Sequence, residues 1–318
     1  MTPGKIEGSW IDSARRLKMF LKSRKPVKIT IDNLKIVLSG NFNRTARVEE
    51  EWKDEVKNPE LIMNAFKEHH LRVDIFTFVQ RLPDSRPKYD YYNEWESVAA
   101  IPIKNYEYWI EHQISKQSRN RIKKANKLGV EIKLSKFDDA FVKGISDIYN
   151  EVKTKQGRKN KHYGMSLDMV KIVNGTFLDQ ADFIGAYYEK ELIGYIKLVY
   201  TEKFARTMGI LGKIKHRDKS PMNLLLARAV EICSIKEIPF LTYARYDYGK
   251  VGSDTLKEFK KNNGFENMIV PRYYVPITIY GRLLIKFKLH NGAKSLIPKN
   301  VIKMLRNLRN IWYSYRLS

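Results

Sequence analysis

The chain has 318 residues, 43% of them hydrophobic and 12% aromatic, with a formal net charge of +24. That is enough apolar material to bury a core, so global disorder is excluded. The charge exceeds what solubility requires and points to an anionic partner: nucleic acid, a phosphorylated small molecule or an acidic membrane surface. The single cysteine, Cys233, excludes an internal disulfide and a multi-cysteine zinc site and fits a reducing compartment.

No apolar run approaches the ~18 residues of a transmembrane helix. Residues 1–26 are basic without a continuous apolar core, and read as a short amphipathic helix rather than a signal peptide. The expected location is therefore the cytoplasm, with peripheral attachment to the inner face of the cell membrane as an option.

In chain order, "VKIT" and "LKIVL" read as strands about an Asp32-Asn33 turn. Leu61, Ile62, Ala65 and Phe66 have helical spacing, and "VDIFTFVQ" and "ESVAAIPI" have strand composition. The aromatic stretch Tyr89–Glu96 fits a packed hairpin, with a stacking platform as the alternative. A single long helix is expected from Tyr106 to Leu128, ended by Gly129, with a nearly pure basic stretch "SRNRIKKANK" suited to a bridge between two domains.

From Val130 the pattern is regular. A strand, "VEIKLS", precedes a helix capped by Ser135 or Asp138, with Phe141, Ile145, Ile148 and Val152 on one face. A second helix follows, capped by Ser166. Three strands then form a meander, "ADFIGAYYE", "ELIGYIKLVYT" and "FARTMGILGKI". The next helix carries Met222, Leu225, Leu226, Ala229 and Cys233 on its apolar face, so Cys233 is read as core. "PFLTYARY" is a strand whose alternation puts Tyr243, Arg245 and Asp247 on one face. A helix stopped by Gly264 and a last strand region, "NMIVPRYYVPIT", complete the domain. From Arg272 onward there is no Asp or Glu. The tail places Val301, Met304, Leu305, Leu308, Ile311, Trp312 and Tyr315 opposite Lys303, Arg306 and Arg309, a basic amphipathic helix.

One loop stands out. Lys213, Lys215, Arg217, Lys219 and Ser220 lie just before or at the mouth of a helix. A helix N-terminus is already electropositive, so such a cluster is unfavourable unless an anion sits there. No metal site is expected.

The order β-α-α-β-β-β-α-β-α-β over 130–280 resembles the GNAT acyltransferase fold. The stretches "RNRIKKANKLGV", "IYNEVKTKQG", "FIGAYYEKELIGYIKL", "KSPMNLLLARAVEIC" and "LKEFKKNNGFENMIVPRYYVP" resemble the Fem-type aminoacyl transferases and their polysaccharide-associated GNAT relatives. The resemblance implies an α+β, tandem arrangement: a degenerate GNAT-like half over 27–104, a bridging helix over 105–129, a complete GNAT-like domain over 130–280 and a basic helical tail over 281–318. GNAT acetyltransferases hold pyrophosphate on a glycine-rich loop. Here Arg217 to Met222 contains no glycine, and Pro221 removes one N–H donor, which leans away from ordinary acetyl-CoA chemistry.

By this resemblance the chain is an N-acyltransferase. No cofactor is bound, and an acyl-CoA or an aminoacyl-tRNA is the co-substrate. A primary amine of a cell-envelope precursor, an amino-sugar or a peptidoglycan peptide, attacks directly. Lys213, Lys215, Arg217, Lys219 and Ser220 hold the donor phosphate, and a backbone N–H near Lys213 serves as oxyanion donor. Asp247, Tyr243 and Tyr246 move protons. Gln156, Arg158, Arg245, Lys260 and Lys261 face a phosphate-bearing acceptor, Lys260 or Lys261 gripping its phosphate. Arg119, Arg121, Lys123 and Lys124 contact tRNA phosphates if the donor is a tRNA. Residues 295–318 rest on an anionic membrane. The competing reading is a non-catalytic RNA- or membrane-binding protein on the same scaffold.

Overall fold

The computed structural model describes residues 26–40, 43–155, 158–247 and 254–291. Among them, residues up to Trp95 and from Val270 onward form one compact unit, and Glu96–Ile269 form the other. Residues 1–25 and residues 292–318, which hold most of the expected basic tail, lie outside the described residues.

The first unit is a five-stranded sheet. β1 (Val27–Ile31) and β2 (Leu34–Ser39) form the expected hairpin, with Asp32 and Asn33 both at positive φ, 50° and 61°. β3 (Thr45–Val48) pairs antiparallel with β2 and parallel with β4 (Ile75–Val79). The last part of β13 (Glu266–Pro276) runs antiparallel to β4. Helix α1 (Pro59–Glu68) is started by Asn58, whose side chain accepts from the Leu61 N–H at 3.1 Å. Its Ile62 and Phe66 pack on Ile36, Phe76, Phe78 and Tyr273. Tyr89 stands edge-on to Phe78 and Tyr273, so the aromatic stretch is packed as expected, but it closes no hairpin, because the sheet neighbours of β4 are β3 and β13. Helix α8 (Ile279–Lys286) lies on a small cluster of Ile75, Tyr274 and Leu284.

In the second unit the strand order is β5-β12-β11-β10-β9-β6, where β5 is Asn93–Pro102, β6 Glu131–Ser135, β9 Ala181–Tyr188, β10 Glu191–Tyr200, β11 Ala205–Gly212 and β12 Phe240–Thr242. Both faces are covered, so β10 is buried over nearly its whole length. Phe183, Leu192 and Tyr195 meet helices α4 (Asp139–Tyr149) and α5 (Leu167–Asn174). Ile184, Ile196 and Leu198 meet α6 (Pro221–Ile235). The caps are Asp138 for α4, accepting from Phe141 N–H at 2.8 Å, and Ser166 for α5. Cys233 is buried on α6, and burial pushes its thiol up to about 12, consistent with a core role.

Three expectations are corrected. The long helix from Tyr106 to Leu128 is interrupted. α2 (Tyr106–Tyr108) runs into a π-helical turn, Trp109–Gln113, and Ile114 is extended. Ser115 then caps α3 (Lys116–Lys127) through the Ser118 N–H. Nor is α3 a bridge: Ile122 and Ala125 are buried in the core of the second unit, which fixes the helix there as a wall with its lysines outward. Finally, the unit boundaries fall at 95/96 and 269/270 instead of 104/105 and 280/281, because the chain passes between units within β5 and within β13. The short hairpin β7 (Thr154–Lys155) and β8 (Arg158–Lys159), and helix α7 (Asp254–Asn262), complete the elements around the site.

Candidate active site

β11 and β12 are parallel neighbours for only two residue pairs, Ala205 with Leu241 and Arg206 with Thr242. Thr207 Oγ1 donates to Thr242 O at 3.2 Å and Thr242 Oγ1 to Ala205 O at 3.1 Å, closing the ladder there. β12 stops at Thr242 while β11 runs on to Gly212. Past Met208, the β11 edge turned from β10 has no strand partner among the described residues. Such an edge offers free N–H and C=O groups to an extended ligand.

The segment after β12 is not the expected strand. Ala244 takes φ 44°, in the left-handed region, and this breaks the alternation that would have placed Tyr243, Arg245 and Asp247 on one face. Instead, Arg245 pairs with Glu96 at 3.3 Å, Asp247 pairs with Lys257 of α7 at 2.9 Å, and both are exposed. Tyr246 packs against the core of the unit. Tyr243 is half-buried against Phe265.

Under this segment lies Lys260, fully buried near the end of α7. Its ammonium donates to the Arg245 carbonyl and stands 4.6 Å from the centre of the Tyr243 ring. Burial pushes its pKa down to about 8, with the Asp247 charge opposing. Lys260 therefore does not extend to an outer phosphate as expected, whereas Lys261 is exposed. The local sequence explains the geometry. Gly264, at φ 82°, ends the α7 region, and a Cβ there would meet Trp109 Nε1 at 3.1 Å. Asn263 O accepts from Trp109 Nε1 at 3.1 Å, and Asn263 Oδ1 accepts from Asn223 of α6 at 2.9 Å. Three segments are thereby locked around the lysine.

The basic loop is organised by acids from elsewhere. Ile214 and Lys215 N–H groups donate to the two carboxylate oxygens of Glu151, at 2.6 and 2.8 Å. Glu191 accepts from Lys213 Nζ at 2.5 Å and meets His216 Nε2 at 2.9 Å; the hydrogen bond from Lys213 first, and the contact with His216 after it, hold its carboxyl below the usual range. Lys219 pairs with Asp218 at 3.3 Å, with its ammonium 4.6 Å from the Tyr188 ring centre. Lys215 and Arg217 are exposed. Ser220, at φ 54°, precedes Pro221 and makes no side-chain cap to α6. Lys155 of β7 feels both sides of the loop: surrounding protein lowers its pKa, Glu151 opposes, and Arg217 adds to the lowering.

The amides from Lys213 to Lys215 do not supply the expected oxyanion donor. The Lys213 N–H donates to Ile193 O at 2.8 Å within the sheet, and the next two N–H groups are filled by Glu151. A pair of consecutive backbone amides holding a carboxylate is an anion seat, already occupied by one of the chain's own side chains. Lys155 and Arg217 flank it.

The remaining expected residues separate. Gln156 lies outside the described residues, as does the side chain of Arg158. Arg119 donates to the carbonyls of Ile110, Glu111 and Ile114, at 3.2, 3.0 and 2.8 Å, so its guanidinium closes the π-helical turn. Lys123 and Lys124 are exposed, and Arg121 is half-buried. Sequence reasoning missed Glu151 and Glu191, because neither acid is near the loop in the chain. It also missed Lys197, buried at the centre of β10, for which a lone charge in an apolar strand was the available signal.

The architecture is an α+β, GNAT-like fold of the Fem type. FemX superposes with a TM-score of 0.58 at 8% identity, covering 84% of this chain and 91% of that one. The C-terminal domain of a putative lysylphosphatidylglycerol synthetase from Agrobacterium fabrum gives 0.52 at 12% identity over 88% and 96% of the two chains. L-PGS from Bacillus licheniformis gives 0.50 at 12% identity over 86% and 96%. At these identities the likeness concerns the fold. No family model matches the sequence, and no curated protein matches it.

Proposed function

We propose that this chain is an N-acyltransferase acting by direct attack, without a covalent enzyme intermediate. A primary amine attacks the carbonyl carbon of an acyl-CoA-type thioester or an aminoacyl-tRNA ester. The C–N bond forms, the C–S or C–O bond breaks, and the amine's proton leaves with the thiol or ribose hydroxyl. The observation that carries the reading is Lys260, a buried lysine under the segment that follows β12. With its pKa near about 8 it is mostly charged at neutral pH. A cation held in a dry setting opposes the negative charge that develops on an attacked carbonyl far better than one in water.

Other features support the same chemistry. The β11 edge past Met208, which has no strand partner among the described residues, suits the extended, amide-bearing arm of a donor. The amides of Ile214 and Lys215, with Lys155 and Arg217, suit its phosphate once Glu151 is displaced. An amino-sugar or peptide amine of a cell-envelope precursor is the proposed acceptor, by likeness to FemX and the synthetase domains in fold.

The test is binding of the purified protein to coenzyme A, a long-chain acyl-CoA and a bulk tRNA pool, by native mass spectrometry and calorimetry at two salt concentrations. Saturable binding of the CoA compounds that survives moderate salt selects a thioester donor. Binding of tRNA alone selects the aminoacyl ester. Binding of neither rejects the proposal.

A further inference from the structure

Helix α8 of the first unit carries an outward apolar stripe. Ile279, Leu283 and Phe287 follow at i, i+4 and i+8 with Tyr280 beside them, and they are 77%, 47%, 60% and 45% exposed. The opposite side of the helix is fixed. Leu284 is buried on Ile75 and Tyr274, and Thr278 caps the helix through the Gly281 N–H at 3.0 Å while donating to Asp74 Oδ1 at 3.0 Å. Gly281 lies so close to the sheet that a Cβ would come within 2.0 Å of the Asp74 carbonyl. The helix therefore cannot roll to hide its stripe. Arg282 and Lys286 border the stripe and Lys288 follows it, all exposed.

We infer that this face of α8 is a docking surface for an anionic phospholipid membrane. A fixed apolar stripe edged by cations is the arrangement of an interfacial helix, which buries its apolar side chains among acyl chains while its cations meet lipid phosphates. Charge selects this occupant over two others. The chain's own tail is free of acids from Arg272 onward and carries Lys303, Arg306 and Arg309, so laying it over α8 would oppose like charges. A second copy packed α8 to α8 would do the same. The surface is separate from the proposed transfer chemistry, so either idea can fail alone.

The experiment is flotation of the full-length protein with vesicles of phosphatidylcholine alone, and of phosphatidylcholine with phosphatidylglycerol, at low and physiological salt. The wild type floats with the anionic vesicles and not with the neutral ones. Leu283→Glu with Phe287→Glu lowers the bound fraction by about tenfold or more. The melting temperature does not change, because both side chains point outward. A second variant, Leu305→Glu with Leu308→Glu, isolates the tail and leaves α8-dependent binding in place. A wild type that does not float, or an α8 variant that floats as well as wild type, overturns the inference. So does a wild-type dimer that becomes monomeric in the α8 variant without any lipid binding, since the stripe would then belong to a second copy.

Discussion

Two lysines in the second unit are buried to a similar degree, and burial pushes both down to about 8, yet their surroundings assign them different work. Lys197, in mid-strand on β10, donates to the Asn174 carbonyl at 2.7 Å, to the Thr176 hydroxyl at 3.0 Å and to the Thr176 carbonyl. It closes the C-terminal end of α5, where helix carbonyls lack partners. Beside it, Tyr149, Tyr195 and Asn174 form a buried polar network. Lys260 lies under the segment that follows β12, between a carbonyl, a tyrosine ring and the Asp247 charge. Burial and a lowered pKa are common to both. What differs is whether the cation completes a helix end or lies under the segment that leaves β12.

The sharpest way to break this comparison is a matched pair of substitutions. Lys260→Met is expected to lower transfer about 100-fold or more while the protein stays folded. Lys260→Arg, which keeps the charge, recovers part of it. Lys197→Met is expected to change stability with little effect on the chemical step. Steady-state transfer rates set beside thermal melts decide it, and equal loss of activity in both methionine variants ends the distinction.

Gly264→Ala tests the support around Lys260. Forcing a Cβ into the left-handed conformation against Trp109 should cost about 2 kcal/mol, read from denaturant unfolding. Transfer should fall with it, because Gly264 directly follows the residues that hold Lys260 in place.

A change of about tenfold is expected from Glu151→Gln. Removing the charge from the occupied anion seat should tighten binding of pyrophosphate by roughly that factor, measured by calorimetry. Arg217→Ala with Lys219→Ala should raise the KM for a phosphate-bearing donor without affecting folding. If Glu151→Gln leaves pyrophosphate affinity unchanged, the carboxylate is a structural cap and not a competitor.

The smallest effect is on the pH dependence of stability. Both buried lysines hold their proton less tightly folded than unfolded. From about 8 to the ordinary lysine value of 10.5 the unfolded chain therefore carries more protons, and stability rises with pH. Below about 8 both states are charged and the full cost of the buried charge remains. The melting temperature of the wild type should accordingly gain on that of Lys197→Met as the pH is raised from about 7 to about 10.

Much of the architecture was written in local patterns. The Asp32-Asn33 turn, the caps at Asp138 and Ser166, the meander from Ala181 to Gly212 and the Gly264 stop each depend on residues within a few positions of one another. Helix and strand periodicity and turn chemistry are properties of the chain over such distances. The excess of positive charge and the crowding of cations before α6 were equally plain.

Only the tertiary structure decided what those cations face. Glu151 reaches amides 63 and 64 residues further on, and Glu191 binds Lys213 and His216 beyond the end of β11. Of the two lysines in "FKKNNGF" expected to grip a phosphate, Lys260 is fully buried, while its neighbour Lys261 is exposed. The left-handed turn at Ala244 undid the side-chain alternation expected of a continuous strand there. Sequence determines which groups are present and how each short segment folds. Which charges meet, and which lose their water, depends on contacts between distant segments, and those exist only once the core has closed.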